Sequence, residues 1–237
     1  VNLQQGIFSL WDSFSMGGYS SIGHPQSQLF YPPSLLSAIL FNDQILGMRF
    51  IFLLHLMLIG LFTTLLLRQF TKNPLVILTA VALLLFNSSM SLFISNGNPA
   101  EIFTFTWLPL VFYFLLRWEK TNNFKFLAGG ALAFSMLVYS GAVFGVHLSL
   151  VAVGLFFLLV GIKQFIKTHS LLQVLLTGIF LTSFIALIVS FSAPRLIPIM
   201  EYQNHSIRSV IPLEAAEKNS LNFSTLSQRI MDSVWLY

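Results

Sequence analysis

From Ile45 to Ala193 the chain is almost continuously apolar, and most of the charges inside this stretch come in three short clusters. A helix crossing a bilayer core needs about 20 predominantly apolar residues. Only 8% of the 237 residues are charged, against about 25% in a soluble domain. So few charges would leave a soluble fold of this length coated in apolar surface, so the natural solvent is lipid. The formal charge of +4 is too small to suggest a nucleic-acid partner. Without cysteine there is neither a disulfide framework nor a thiolate metal site.

Gly, Pro and polar punctuation divides the apolar stretch. Ile45–Leu67 is the first candidate span, with Asp43 as its N-cap. Leu75–Ile94 is the second, opened by Pro74 where a missing N–H costs nothing. Ile102–Leu116 is the third and ends at Arg117. The tract Phe126–Ile162 would be about 55 Å long as one helix, nearly twice the bilayer core. It must therefore reverse once, and the turn chemistry at Tyr139-Ser140-Gly141 through Gly145 places the reversal there. Leu171–Ala193 is the last span, ended by Pro194. The expected fold class is an all-α polytopic membrane protein with six transmembrane helices.

The basic residues give an independent check. Arg68 and Lys72 follow the first span, Arg117, Lys120 and Lys125 the third, and Lys163 and Lys167 the fifth. These loops share one side if the count is six. Seven cations against the single acid Glu119 mark that side as cytoplasmic. Asp12, Asp43, Glu101, Glu201, Glu214, Glu217 and Asp232 then fall on the other side or at its edge. Both ends of the chain lie outside the cytoplasm, as expected of a multi-pass protein in the plasma (inner) membrane of a bacterium.

Three regions follow. Residues 1–44 form an extracytoplasmic loop, in which Leu35, Leu36, Ile39 and Leu40 recur at helical spacing and predict a helix lying on the membrane surface. Residues 45–193 form the membrane region. Residues 194–237 return outside, with helix starts at Pro212 and Ser224. Val1 is not Met, and Ser233–Tyr237 end without a polar tail. The sequence therefore reads as part of a longer membrane protein, with a processed start as the alternative.

No nucleotide-loop, nucleophile-elbow or zinc-helix motif is present. His55 and His147 lie inside spans, where a histidine hydrogen-bonded within the bundle outweighs a proton relay. Gly141 and Gly145 make a weak helix-packing pair placed at a turn. Glu101 sits at the mouth of the third span after the turn Asn96-Gly97-Asn98-Pro99. Either it complements the helix dipole or it serves a site. Pro109 should kink that span, and Trp107 is placed near the outer headgroups. Arg195 and Arg208 leave the membrane with Glu201 and His205. An arginine fork suits phosphate oxygens, and interfacial anchoring is the alternative.

Several phrases occur in a familiar order: Gln5-Gly6 to Leu10-Trp11-Asp12, Gly17-Gly18, Tyr31-Pro32-Pro33, Asn98-Pro99-Ala100-Glu101, Trp107-Leu108-Pro109-Leu110, Tyr139-Ser140-Gly141, Pro194 through Glu201, and Ser206-Ile207-Arg208. In this the chain resembles the YfhO-type bacterial membrane proteins of the wider GT-C glycosyltransferase class. The resemblance implies a multi-spanning enzyme that takes a sugar from a polyprenyl-phosphate carrier on the outer face and passes it to a cell-envelope polymer or lipid acceptor. The family's first helix and its catalytic acid would lie upstream of Val1, so the catalytic residue is unknown, and Asp12 is not promoted in its place. Matching positions near such a site are Asp12, His24, Glu101, Glu201, His205 and Arg208. Arg208 and Arg195 are the first choices for the phosphate, and Glu101 for the donor or acceptor. The cofactor is left open, a divalent metal in the full-length protein being one option. Two other readings stand beside this one: a transporter, which calls for charges at interrupted helices, and a scaffold whose outer loops enclose no cavity.

Overall fold

A computed structural model describes residues 10–12 and 18–204. The chain is an all-α bundle. Its only non-helical ladder among the described residues joins β1 (Trp11–Asp12) to β2 (Tyr19–Ser20), with Trp11 opposite Ser20 and Asp12 opposite Tyr19. The helices are α1 (Pro32–Leu40), α2 (Gln44–Leu67), α3 (Pro74–Leu85), α4 (Ser88–Ser95), α5 (Pro99–Thr121), α6 (Phe124–Ser140), α7 (Val143–Thr168) and α8 (Leu171–Asn204). Of these, α2, α5, α7 and α8 are long and apolar enough to cross a membrane, while α3 and α6 are shorter apolar helices. The protein is a multi-pass membrane protein in helical character.

Local chemistry sets the boundaries. Asp43 caps α2, its carboxylate accepting from Ile45 N at 2.7 Å, as expected of an N-cap acid. Asn73 does the same for α3 through Leu75 N at 2.9 Å, with Pro74 in the first turn. The α5–α6 turn uses two adjacent asparagines differently. Asn122 ends α5 in the left-handed region (φ 51°), and Asn123 caps α6 through Lys125 N at 3.0 Å. The reversal inside Phe126–Ile162 falls where the turn residues place it, with Gly141 at φ 92° between α6 and α7.

Three expectations are corrected. The second span, Leu75–Ile94, is two helices meeting at Phe86-Asn87. Asn87 bridges the break, its amide donating to Leu84 O at 2.8 Å and its oxygen accepting from Met90 N at 2.9 Å. A side chain that satisfies both helix ends makes the interruption affordable. The last helix does not stop at Pro194 but runs through Pro194 and Pro198 to Asn204, so the C-terminal region expected from residue 194 begins inside α8. Pro194 leaves one helical carbonyl without its donor, yet the same turn is held from outside by the Tyr139 hydroxyl, which donates to Phe191 O at 2.9 Å. At about 51 Å, α8 is longer than a bilayer core is thick. The third expected span, α5, likewise continues past Arg117 to Thr121.

Packing is centred on α5, which lies against α6, α2 and α7, while α8 covers α6 and α7. One core joins Val111, Leu115, Trp118, Leu127, Phe134, Phe157 and Phe184. The other joins Tyr31, Ile51, Ile59, Ile102, Phe103 and Tyr139. Outside these cores large apolar side chains face outward, among them Leu53, Met57 and Leu61 of α2, Leu155 and Leu159 of α7, and Leu172, Leu175 and Ile179 of α8. Apolar exposure on this scale fits a lipid surround. On α1, Leu36, Ile39 and Leu40 are exposed, whereas Ser37 is buried against Gly47 of α2.

The bundle has two chemically distinct ends. At one, Lys120 Nζ donates to Gln69 Oε1 at 3.3 Å, and Lys163 Nζ pairs with Glu119 at 2.7 Å, tying together the three basic loops. At the other, the segment 23–31 packs over the α6–α7 turn, the start of α5 and the end of α8.

Candidate functional site

The segment before α1 is held down by five anchors. Gln28 Nε2 donates to Ser140 O at 2.9 Å. Arg195, 2% exposed, donates through Nη2 to Pro25 O at 2.6 Å and through Nη1 to Ser27 O. Gly23 lies so close to α8 that a Cβ there would stand 2.5 Å from Cβ of Tyr202. A Cβ on Gly141 would stand 2.8 Å from Gln26 O, and that residue already has a left-handed φ that a side chain resists.

The fifth anchor is Tyr31, which is fully buried. Trp107 Nε1 donates to its hydroxyl at 2.7 Å, and the hydroxyl lies 2.5 Å from His55 Nε2. His55 Nδ1 lies 2.6 Å from Ile51 O. A carbonyl only accepts, so Nδ1 carries the proton, and Nε2 accepts from the tyrosine. Burial pushes the Tyr31 phenol up, and the Trp107 hydrogen bond pulls it partly back, so the phenol keeps the proton that it donates. His55 is therefore a satisfied buried histidine. Trp107, placed at the headgroups by its position in the sequence, instead turns into the bundle and also packs on Phe62 at 5.5 Å between ring centroids.

Around these anchors lie two adjoining cavities. The larger, about 620 Å³, is lined by Gln26, Asn98, Glu101, Gly141, Phe144 and His147. The smaller, about 210 Å³, is lined by Pro25, Val138, Val146, His147, Arg195 and Gln203. Gly141, Ala142, Val143 and His147 form walls of both.

Glu101 lies in the first turn of α5, 7% exposed, and its Oε2 has no hydrogen-bond donor among the described residues. An unpartnered buried carboxylate oxygen is costly and calls for an explanation. Gly145 is why it fits: a Cβ there would lie 2.9 Å from Oε2 and 2.8 Å from Thr104 Cγ2. The weak Gly141–Gly145 pair is thus two separate close approaches, one to the segment before α1 and one to α5. Thr104 and Ser140 share a hydrogen bond that ties α5 to α6 beneath the cavity.

The structure brings Glu101 and Arg195 to neighbouring cavities. His24 lies nearby, with its ring 6.4 Å from that of Tyr202. Glu201 is exposed on the last turns of α8, and Asp12 lies in the two-residue ladder. His205 and Arg208, and the helix starts at Pro212 and Ser224, lie outside the described residues. Sequence reasoning passed over Gln26, and it placed Asn98 in a turn and His147 inside a span without assigning either to a site. Each is an ordinary polar residue whose position at a cavity depends on which helices pack together. Among the described residues, no three His, Asp or Glu side chains gather as metal ligands.

Comparison with known proteins finds no family model that matches the chain, no match among curated proteins and none among solved structures. The chemistry of the site is therefore argued from its residues. Glu101 offers a carboxylate for a hydroxyl or amine donor. Arg195 is a cation whose two nitrogens are already engaged by loop carbonyls, so its first task is to position residues 25–27.

Proposed function

We propose that this chain is the membrane region of a GT-C-type glycosyltransferase-like protein, moving a sugar from a polyprenyl-phosphate donor to a cell-envelope acceptor on the outer face of a bacterial plasma membrane. The observation that carries the proposal is the cavity of about 620 Å³ under the outer segment, walled by the buried Glu101. A scaffold without chemistry predicts no enclosed space there. The basic loops at the far end support a cytoplasmic position for that end, and with it an outward-facing cavity.

In this reading the acceptor hydroxyl attacks the anomeric carbon while the bond from that carbon to the phosphate oxygen breaks. The hydroxyl proton passes to a carboxylate, with Glu101 the candidate among the described residues, and the electron pair leaves on the phosphate. Arg195 holds Pro25 and Ser27 so that Gln26 borders the cavity, and its charge lowers the cost of developing negative charge nearby. The interrupted α3–α4 pair favours a transporter, but Asn87 at its break is neutral and satisfied on both sides.

The test is sugar transfer from labelled polyprenyl-phosphate-sugars in membrane vesicles carrying the intact gene product. Glu101→Gln is expected to lower turnover by about 10²–10⁴-fold, the usual contribution of a general base. Undiminished transfer in that variant would remove Glu101 from the mechanism. Absence of transfer by the wild type, with every sugar tried, would favour the scaffold.

A further inference from the structure

The cavity of about 620 Å³ under the segment before α1 has one acid among its described walls, Glu101, and neither lysine nor arginine. Arg195 lines only the adjoining cavity, where Pro25 O and Ser27 O already engage both of its terminal nitrogens. In the first turn of α5 the helix dipole favours the ionised carboxylate. Oε2 is closed in against Gly145, which leaves Oε1 as the oxygen that meets the cavity. A single negative charge, 7% exposed, therefore faces this space without a counterion.

The other polar walls add acceptors. His147 Nδ1 lies 2.7 Å from Val143 O. A carbonyl only accepts, so Nδ1 carries the proton and Nε2 keeps its lone pair. Asn98 precedes α5 without making a side-chain cap bond, so its carboxamide oxygen is uncommitted to the helix. A carboxylate withdrawn from water is costly until it meets a cation. A primary ammonium has three donors and no acceptor, which matches one charged acceptor flanked by neutral ones. A hydroxyl alone would leave the charge unbalanced.

We propose that this cavity binds a primary ammonium group, which donates to Glu101 Oε1 and to the acceptors of His147 and Asn98. The ammonium belongs either to a soluble amino alcohol or to an aminolipid headgroup. On the reading of this cavity as the transfer site, on which this inference rests, the acceptor is a hydroxyl compound that also bears an amine. A carboxylate oxygen has two lone pairs, enough to meet the ammonium and the neighbouring hydroxyl together.

Ethanolamine and ethylene glycol differ in carrying an ammonium or a second hydroxyl. Titrated calorimetrically at neutral pH into the intact gene product in detergent, ethanolamine is expected to bind about tenfold more tightly, the gain from one charged hydrogen bond. Phosphatidylethanolamine against phosphatidylcholine, read by native mass spectrometry, is the lipid arm, because the choline cation has no N–H to donate. Preference for ethanolamine assigns the soluble source. Preference for phosphatidylethanolamine with none for ethanolamine assigns the lipid. Glu101→Gln keeps the shape, removes the charge and should weaken the preferred ligand roughly 10–100-fold. No preference in either arm overturns the proposal, and so does unchanged affinity in Glu101→Gln. The wild-type comparison decides the matter even where that variant does not fold. Neither arm contains a sugar donor, so failure of binding removes the amine and leaves the transfer reaction to its own assay.

Discussion

Trp107 and Tyr31, 76 positions apart in the chain, meet at 2.7 Å, and the phenol that receives the indole N–H passes its own proton toward His55. One chain of donors thus ties α5, the segment before α1, and α2. Every polar atom in it has a partner, which is what a buried network needs in order to stabilise.

Tyr31→Phe breaks that chain in the middle. It leaves Trp107 Nε1 and His55 Nε2 without their partner inside an apolar core, at a cost of about 1–3 kcal/mol. Thermal unfolding in detergent should show the loss. A melting temperature equal to that of wild type would mean that the network contributes nothing.

Gly141→Ala adds a methyl group where Gln26 O stands 2.8 Å away and φ is 92°. The left-handed backbone alone costs about 1–2 kcal/mol for a residue with a Cβ. The expected outcome is release of the segment before α1, seen as faster amide exchange over residues 23–31 with the basic end unchanged.

Arg195→Lys keeps the charge but loses the fork that reaches Pro25 O and Ser27 O together. A charged hydrogen bond is worth about 1.5–3 kcal/mol, and at 2% exposure little of that is screened. Exchange over residues 25–27 should rise and stability fall by about that amount. Lys163→Ala, by contrast, removes a pair whose lysine side chain is 66% exposed, and should change stability by less than about 1 kcal/mol.

Orientation is tested by single cysteines, which report cleanly because the chain has none of its own. An impermeant maleimide added outside intact cells should label Asn96→Cys and not Lys72→Cys. Labelling of both from outside would overturn the assignment of the basic end to the cytoplasm.

The all-α apolar character, the Asp43 cap and the turn at Gly141 were legible because each depends on neighbours within a few residues. The break at Asn87 was not, since a lone Asn in an apolar run looks the same whether it caps a new helix or faces a partner. Pro194 misled for a related reason: the donor that steadies its turn, Tyr139, lies 52 residues away from Phe191. The site followed the same division. Glu101 and Arg195 stood out as charges, but that Arg195 would spend its nitrogens on two loop carbonyls is a tertiary fact that no local pattern encodes.

The inverted polarity of α1, with Ser37 tucked against Gly47 and Leu36, Ile39 and Leu40 turned away, makes that short helix an outrigger. Its leucines and isoleucine seek the boundary between headgroup and acyl chain, and through Tyr31 it is moored to the same segment that roofs the Glu101 cavity.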